Sequence, residues 1–105
     1  MIKREHTKFS KPLSNPASEL LKDTIQHFSL SQTAAAQGLG ISKSYLSEVL
    51  KGKRGVSVDF ALRAQVFFGV SAELLVKLQS QYDFEKAYSE NYSKFEKEIT
   101  RLEVA

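Results

Sequence analysis

The chain has 105 residues, a net charge of +3, an apolar fraction of 42% and no cysteine. This length allows one domain with a modest core, and the lack of cysteine excludes disulfides and thiolate metal sites. No apolar run approaches the length of a membrane span, so we expect a cytoplasmic protein without a membrane partner.

Residues 1–14 carry four basic side chains and little apolar periodicity, which predicts a flexible basic N-terminal arm. The arm is either a frayed terminus or a segment that becomes ordered on DNA or on a protein partner. Asn15 and Pro16 then predict a helix start, because asparagine caps well and proline needs no hydrogen bond at the first helical position. Apolar residues recur at spacings of three and four up to Phe28, as in an amphipathic first helix.

The segment 31–54 has the pattern of two short helices joined by a turn that contains glycine. Ser31 and Ser42 each precede a helical stretch and are predicted to be N-caps. Gly38 and Gly40 lie between the stretches, and one of them can end the first helix in a left-handed conformation. Two helices connected in this way form a helix-turn-helix motif, whose second helix enters the major groove of DNA.

The second helix of this motif has short polar side chains near its start and basic residues near its end. Short polar groups suit base edges, and cations suit phosphates, so double-stranded DNA is the expected partner. The alternative is a solvated turn in an ordinary helical bundle. The predicted base-reading residues are Lys43, Ser44, Tyr45, Ser47 and Glu48. The predicted phosphate-binding residues are Gln32, Ser42, Lys51, Lys53 and Arg54.

Two more helices are predicted after a loop at 55–57. Ser57 caps the fourth helix and Gly69 ends it, while Arg63 is expected to pair with Asp59 one turn earlier. The residues expected to face the core are Val58, Ala61, Leu62 and Val66, with Phe67 or Phe68. Ser71 caps the fifth helix, whose predicted apolar face consists of Leu74, Leu75 and Leu78.

The apolar periodicity continues beyond Gln79 as far as Leu102, which predicts an extra C-terminal helix. We expect residues 83–105 to form a helical extension for dimerisation or partner binding; the alternative is that this helix packs back on its own domain. Acidic residues outnumber basic ones beyond Tyr82, so this end does not suit phosphates. The predicted dimer or partner interface comprises Leu74, Leu75, Leu78, Tyr88, Tyr92, Phe95 and Ile99.

The segment 31–54 resembles the XRE (Cro/repressor-type) helix-turn-helix family, and its continuation resembles the HigA-type antitoxins. The matching motifs are A-L-R at 61–63, F-G at 68–69, S-A-E at 71–73, L-Q at 78–79 and Y-D at 82–83. The chain departs from the usual family residues at Ala35, Ala64-Gln65 and Leu75. The resemblance implies an all-α, five-helix lambda-repressor-like bundle, with a DNA-binding domain at 15–82.

The resemblance also implies a function. A HigA-type antitoxin is a transcriptional repressor that binds a palindromic operator as a homodimer, regulates its own operon and neutralises a small basic toxin. The acidic segment 83–103 is the expected toxin surface, and the N-terminal arm with the first helix is the competing one. The alternatives are a stand-alone XRE-type or phage-derived regulator without a toxin, and an interaction module that has lost DNA binding. No catalytic, nucleotide-binding or metal-ligand motif occurs, so we expect no enzyme activity, cofactor or metal.

Overall fold

The computed structural model describes residues 10–103, which form five α-helices and no strand. The helices are α1 (Pro16–His27), α2 (Gln32–Leu39), α3 (Lys43–Leu50), α4 (Val58–Phe68) and α5 (Ala72–Glu98). The predicted all-α, five-helix architecture is therefore confirmed. Positions 1–9 of the predicted basic arm lie outside the described residues. Within 10–103, no helix is both long and apolar enough to cross a membrane.

Each helix begins at a residue whose side chain accepts a hydrogen bond from the first turn. The Asn15 side chain accepts from the backbone N–H of Ala17 at 3.0 Å. At the other four starts a serine hydroxyl accepts from the N–H three residues later, at 3.0–3.1 Å. Such a cap stabilises a helix by about 1 kcal/mol. All five predicted caps are confirmed, and Gly40 and Gly69 end α2 and α4 with φ of 71° and 81°.

The core is built from large side chains of four helices and small side chains of α2. The largest fully buried side chains are Leu21 of α1, Leu46 and Val49 of α3, Phe60 of α4 and Leu75 of α5. From α2 the buried side chains are two alanines and one leucine. The small alanines allow α3 and α4, both of which contact α2, to approach its backbone closely.

The predicted core face of α4 is wrong at Val58, Leu62 and Val66, but right at Ala61 and at Phe68, which packs partly buried against the core. Val58, Leu62 and Val66 are exposed to 61%, 53% and 88%, whereas Phe60, Ala61 and Ala64 are buried. Both sets recur at helical spacing, so the apolar periodicity is compatible with either face being inside. The buried face combines one large ring, which fills the core, with two alanines that admit neighbouring helices.

The predicted extra C-terminal helix is not a separate element, because α5 runs without interruption for 27 residues. The sequence of α5 contains no glycine or proline that would end it, and its length corresponds to about 40 Å. The helix ends at Glu98, and Ile99 has an extended backbone with φ of −110° and ψ of 122°. Ile99 and Leu102 therefore lie beyond the helix, which corrects the predicted continuation of the helical stripe.

Only the first part of α5 belongs to the core. Its buried residues are Ala72, Leu75 and Gln79, and the remainder extends beyond the other helices, which agrees with the molecular extents of 59 × 22 × 20 Å. Leu75 is fully buried and Leu78 is partly buried against the core. The prediction that Leu75 contacts a partner was therefore wrong, since this side chain faces the protein's own interior.

Gln79 connects three distant parts of the chain in the interior. Its Oε1 accepts from Nδ2 of Asn15 and from the backbone N–H of Val56, both at 2.8 Å. Its Nε2 donates to Asp83 at 2.8 Å. Gly55 lies so close that a Cβ there would stand 3.1 Å from the Gln79 amide. The side chain of Gln79 thus fixes the loop after α3 relative to α1 and α5.

We expect Gln79→Ala to lower the free energy of unfolding by about 2–4 kcal/mol, because two buried donors lose their acceptor. Denaturant unfolding measures this change. The matched control is Gln81→Ala on the same helix, where the exposed side chain bonds to Glu85, and its effect should stay below about 0.5 kcal/mol. Equal losses in the two variants would contradict the role assigned to Gln79.

Candidate nucleic-acid interface

The turn between α2 and α3 is fixed by a glycine and by an arginine from α4. Gly40 adopts the left-handed conformation, and the N–H of Ile41 returns to the carbonyl of Ala36 at 3.0 Å. Arg63 Nη1 donates to the carbonyls of Leu39 and Gly40 at 3.1 and 3.2 Å. The two helices therefore meet at a defined angle, as a helix-turn-helix motif requires.

The pairing of Arg63 with Asp59 was predicted and is confirmed at 2.8 Å, but the contacts of Arg63 with the turn were not predicted. They join residues that are 23 and 24 positions apart, and sequence patterns over a few residues do not predict such distant contacts.

Gly38, the other glycine of this region, has a packing role. It lies inside α2, and a Cβ at this position would clash with the ring of Phe67.

The inner face of α3 attaches it firmly to the rest of the domain. Leu46 and Val49 are fully buried, and Leu50 is nearly so. The hydroxyl of Ser18 on α1 donates to the carbonyl of Val49 at 2.8 Å, inside the protein. The outer face of α3 is thereby presented to solvent in one orientation.

A shallow groove along the outer face of α3 brings together most of the predicted DNA-binding residues. Its lining consists of Gln32, Lys43, Ser44, Ser47, Glu48, Lys51 and Lys53. Seven of the ten predicted positions thus share one surface, which contains three lysines and one acid. Lys43 and Ser44 are exposed, whereas Ser47 and Glu48 are half-buried. The residues that line the groove are polar or charged and carry a net positive charge, as a surface that meets phosphates should.

The other three predicted residues lie at the borders of α3. Ser42 caps the helix, so its oxygen is engaged with the N–H of Tyr45 while its hydroxyl proton can still be donated. The Tyr45 ring stacks on Phe60 with centroids 5.9 Å apart. The guanidinium of Arg54 lies 4.7 Å from the Tyr45 ring centroid.

Arg54 also forms an ion pair with Glu48, the acid of the groove. Its Nε stands 3.0 Å from Oε1 of Glu48, and both side chains are about half exposed. A pair this exposed contributes less than about 1 kcal/mol, so it can rearrange when a stronger partner arrives. Glu48 was predicted to accept from cytosine; in this structure its carboxylate accepts from Arg54.

The predicted interface residues other than Leu75 and Leu78 divide into two groups. Leu74 is exposed in the first turn of α5, and Phe95 and Ile99 are exposed near its end. Tyr88 and Tyr92 stack on one another with centroids 4.4 Å apart. All of these residues except Ile99 lie on α5, and Ile99 follows its last residue; they do not form a single exposed surface.

Part of the N-terminal arm lies beside the distal half of α5. Lys11 Nζ stands 3.8 Å from a carboxylate oxygen of Glu90, and both side chains are exposed. The two surfaces that the sequence offered as alternatives for a protein partner are therefore neighbours.

A family model described as helix-turn-helix matches residues 21–75, which is more than half of the chain. The chain belongs to the helix-turn-helix family. The predicted membership in this family is confirmed.

Two solved structures and one sequence relative place the chain more closely. Antitoxin HigA of Pseudomonas aeruginosa, solved with the higBA promoter, is 33% identical, with coverage of 82% of this chain and 95% of that one and a TM-score of 0.73. An addiction module antidote protein of the HigA family from Coxiella burnetii is 31% identical, with coverage of 84% and 96% and a TM-score of 0.71. Virulence-associated protein I of Dichelobacter nodosus is 30% identical over 82 residues, 78% of this chain and 76% of that protein. The predicted resemblance to HigA-type antitoxins is thereby confirmed.

Proposed function

We propose that this protein is a HigA-type antitoxin that binds its operator through α3, represses its own operon and neutralises a cognate toxin. The observation that carries DNA binding is the positive groove on the outer face of α3. The Pseudomonas aeruginosa HigA structure, which contains the higBA promoter, supports the same use of the fold here. The protein would act in the cytoplasm on the nucleoid, by binding alone and without a cofactor.

Phosphate contacts are assigned to the two ends of the groove. Lys51, Lys53 and Arg54 follow α3, and the first two line the groove directly. Gln32 and Ser42 lie at the starts of α2 and α3, where backbone N–H groups point outward and attract anions. Such contacts fix the position of a protein on DNA and carry no sequence information.

Base reading is assigned to the outward side chains of the first two turns of α3. Lys43 can donate to guanine, and Ser44 and Ser47 can donate or accept at any base edge. Ser47 lies deeper in the groove than the other two, and Glu48 beside it can accept from cytosine if Arg54 moves to a phosphate. Tyr45 has its ring under Arg54, which leaves its edge for a sugar or a thymine methyl group.

A toxin surface is assigned to the distal half of α5. This part carries most of the acidic residues that follow Tyr82, and it lies outside the core of the DNA-binding domain. A toxin with a basic active surface would complement it electrostatically. Because Lys11 contacts Glu90, the N-terminal arm borders this surface and would contribute to it.

Arg54→Ala is expected to weaken binding to all duplexes alike, since a phosphate contact is lost. The slope of log affinity against log salt should fall by about one unit. Titration of labelled duplexes at several salt concentrations measures this slope. The control is Lys77→Ala, which removes an exposed cation on α5 and should leave the slope unchanged. An unaltered slope in Arg54→Ala would refute the phosphate contact.

Ser47→Gln is expected to change the preferred operator by about 1–3 kcal/mol at one base pair of each half-site. The longer amide side chain presents a different hydrogen-bonding pattern, with a preference for adenine. Selection from random duplexes gives the preference directly. Ser80→Gln on α5 is the matched control. An identical consensus for Ser47→Gln and the unaltered protein would remove Ser47 from the base-reading set.

The double variant Glu90→Lys/Glu98→Lys is expected to abolish capture of the protein encoded beside this gene, because it reverses the charge of the distal α5 surface. Pull-down with the full chain measures capture. The matched variant Asp23→Lys/Glu73→Lys makes the same charge change on α1 and at the start of α5, and it should retain capture. Loss with the second variant alone would move the toxin surface to α1 or to the start of α5. Failure of the unaltered chain to capture any protein would favour a stand-alone regulator.

A further inference from the structure

The outer face of α4 carries an apolar stripe that the fold leaves in solvent. Val58, Leu62 and Val66 occupy three successive turns on one side of the helix, and each is more than half exposed. Single exposed apolar residues are common on protein surfaces, but a contiguous row is typical of an interaction site. We define this row as the α4 stripe.

A shallow groove beside the stripe adds to its shape. Leu62, Arg63, Asp59 and Val66 form one side of this groove. The other side is the end of α2, where Gly38 and Gly40 have no side chains. The stripe and the groove together provide a ridge and a recess, which is the arrangement that two packing helices require.

We propose that the α4 stripe is the homodimer interface and that its occupant is the same stripe of a second copy. The order of the three residues fits a two-fold axis. Val58 and Val66 lie equally far from Leu62, so two antiparallel α4 helices would place Leu62 on its own symmetry mate. Val58 of each copy would then contact Val66 of the other. A two-fold interface must be self-complementary in this way.

The charges around the stripe favour a second copy over a toxin. Asp59 and Arg63, which border it, neutralise one another at 2.8 Å within the same chain. Arg63 also directs Nη1 to the turn carbonyls. The border therefore presents a balanced pair of charges, with no excess acid to complement a basic partner. Two such borders can meet without net repulsion.

The position of the stripe also fits the DNA-binding site, and this step rests on the proposed operator binding. Two α3 helices that read a palindrome must lie about 34 Å apart on one side of the dimer. The stripe begins four residues after Arg54, and Arg63 within the same helix fixes the turn before α3. Pairing through α4 would thus fix the spacing of the two recognition helices through short, rigid connections.

The face of α5 predicted from the sequence is a weaker candidate. Leu75 is fully buried and Leu78 is packed against the core, so Leu74, 45% exposed, is the one leucine of that face that projects into solvent. Farther along α5, the Phe84, Tyr88 and Tyr92 rings already make contacts within the chain. The α4 stripe has three apolar side chains that are each more than half exposed, and it follows the DNA-binding motif directly.

Three side chains per subunit form an interface well below the roughly 800 Å² per partner of a standard complex. The dimer is therefore weak by itself, and binding of both subunits to adjacent half-sites supplies the remaining affinity. Tethering two DNA-binding sites in this way raises affinity by about a hundredfold or more. Operator binding should accordingly be cooperative in the two half-sites.

The test uses the full chain with Leu62→Glu and Leu62→Lys, each alone and mixed in equal amounts. Because Leu62 is half exposed, both variants should fold. At a protein concentration high enough for the unaltered chain to dimerise, each variant alone should sediment as a monomer. Each should also lose about a hundredfold in affinity for the palindrome while keeping its affinity for one half-site. The mixture should restore the dimer and the palindrome affinity, since the introduced carboxylate would meet the introduced ammonium across the axis.

Leu74→Glu and Leu74→Lys are the matched controls, with the same chemistry at a similarly exposed leucine of α5. They should sediment and bind as the unaltered chain does. The proposal is overturned if the Leu62 variants stay dimeric, or if the Leu74 variants alone dissociate. A Leu62 variant that stays dimeric but no longer captures a protein partner would assign the stripe to that partner. If the unaltered chain binds no duplex, operator binding is refuted. Sedimentation of the same variants without DNA then still shows whether the α4 stripe is the dimer interface.

Discussion

The burial of the inner face of α3 is the interaction on which the functional surface depends. A helix of eight residues is too short to persist in water by itself, so its existence and direction rest on packing. Leu46 and Val49 provide that packing from the fully buried core. The buried side chains of these two residues fix the helix, and so they determine where its outward side chains lie. A change in this core would therefore affect DNA binding without touching a DNA-binding residue.

Three polar contacts refine the position that hydrophobic burial sets. Ser18 bonds to the backbone near the end of α3, Arg63 to the turn before it, and Gln79 to the loop after it. Apolar packing is tolerant of small displacements, whereas a hydrogen bond requires defined distances and angles. Together the three contacts connect α1, α4 and α5 to the two ends of the recognition helix, α3. A partner that displaced α5 near Gln79 would move the loop after α3, which carries Lys53 and Arg54, because Gln79 is bonded to that loop at Val56.

The molecule separates its surfaces by charge and polarity. The groove on α3 is positive, the distal half of α5 is rich in acids, and the outer face of α4 is apolar. Each surface thus matches the chemistry of the partner proposed for it, namely phosphates, a basic protein and a second copy. Because these surfaces lie on different helices, one molecule could engage all three partners together.

Sequence alone determined the features that depend on neighbouring residues. Asparagine and serine caps, the closing glycines and the grouping of polar residues on α3 follow from contacts within four positions along the chain. Tertiary structure decided which face of α4 is buried, that Leu75 is internal, and that Glu48 is paired with Arg54. These outcomes depend on residues distant in sequence, as in the contact of Asn15 with Gln79 across 64 positions. Helical periodicity identifies apolar faces, but the neighbouring helices determine which face is excluded from water.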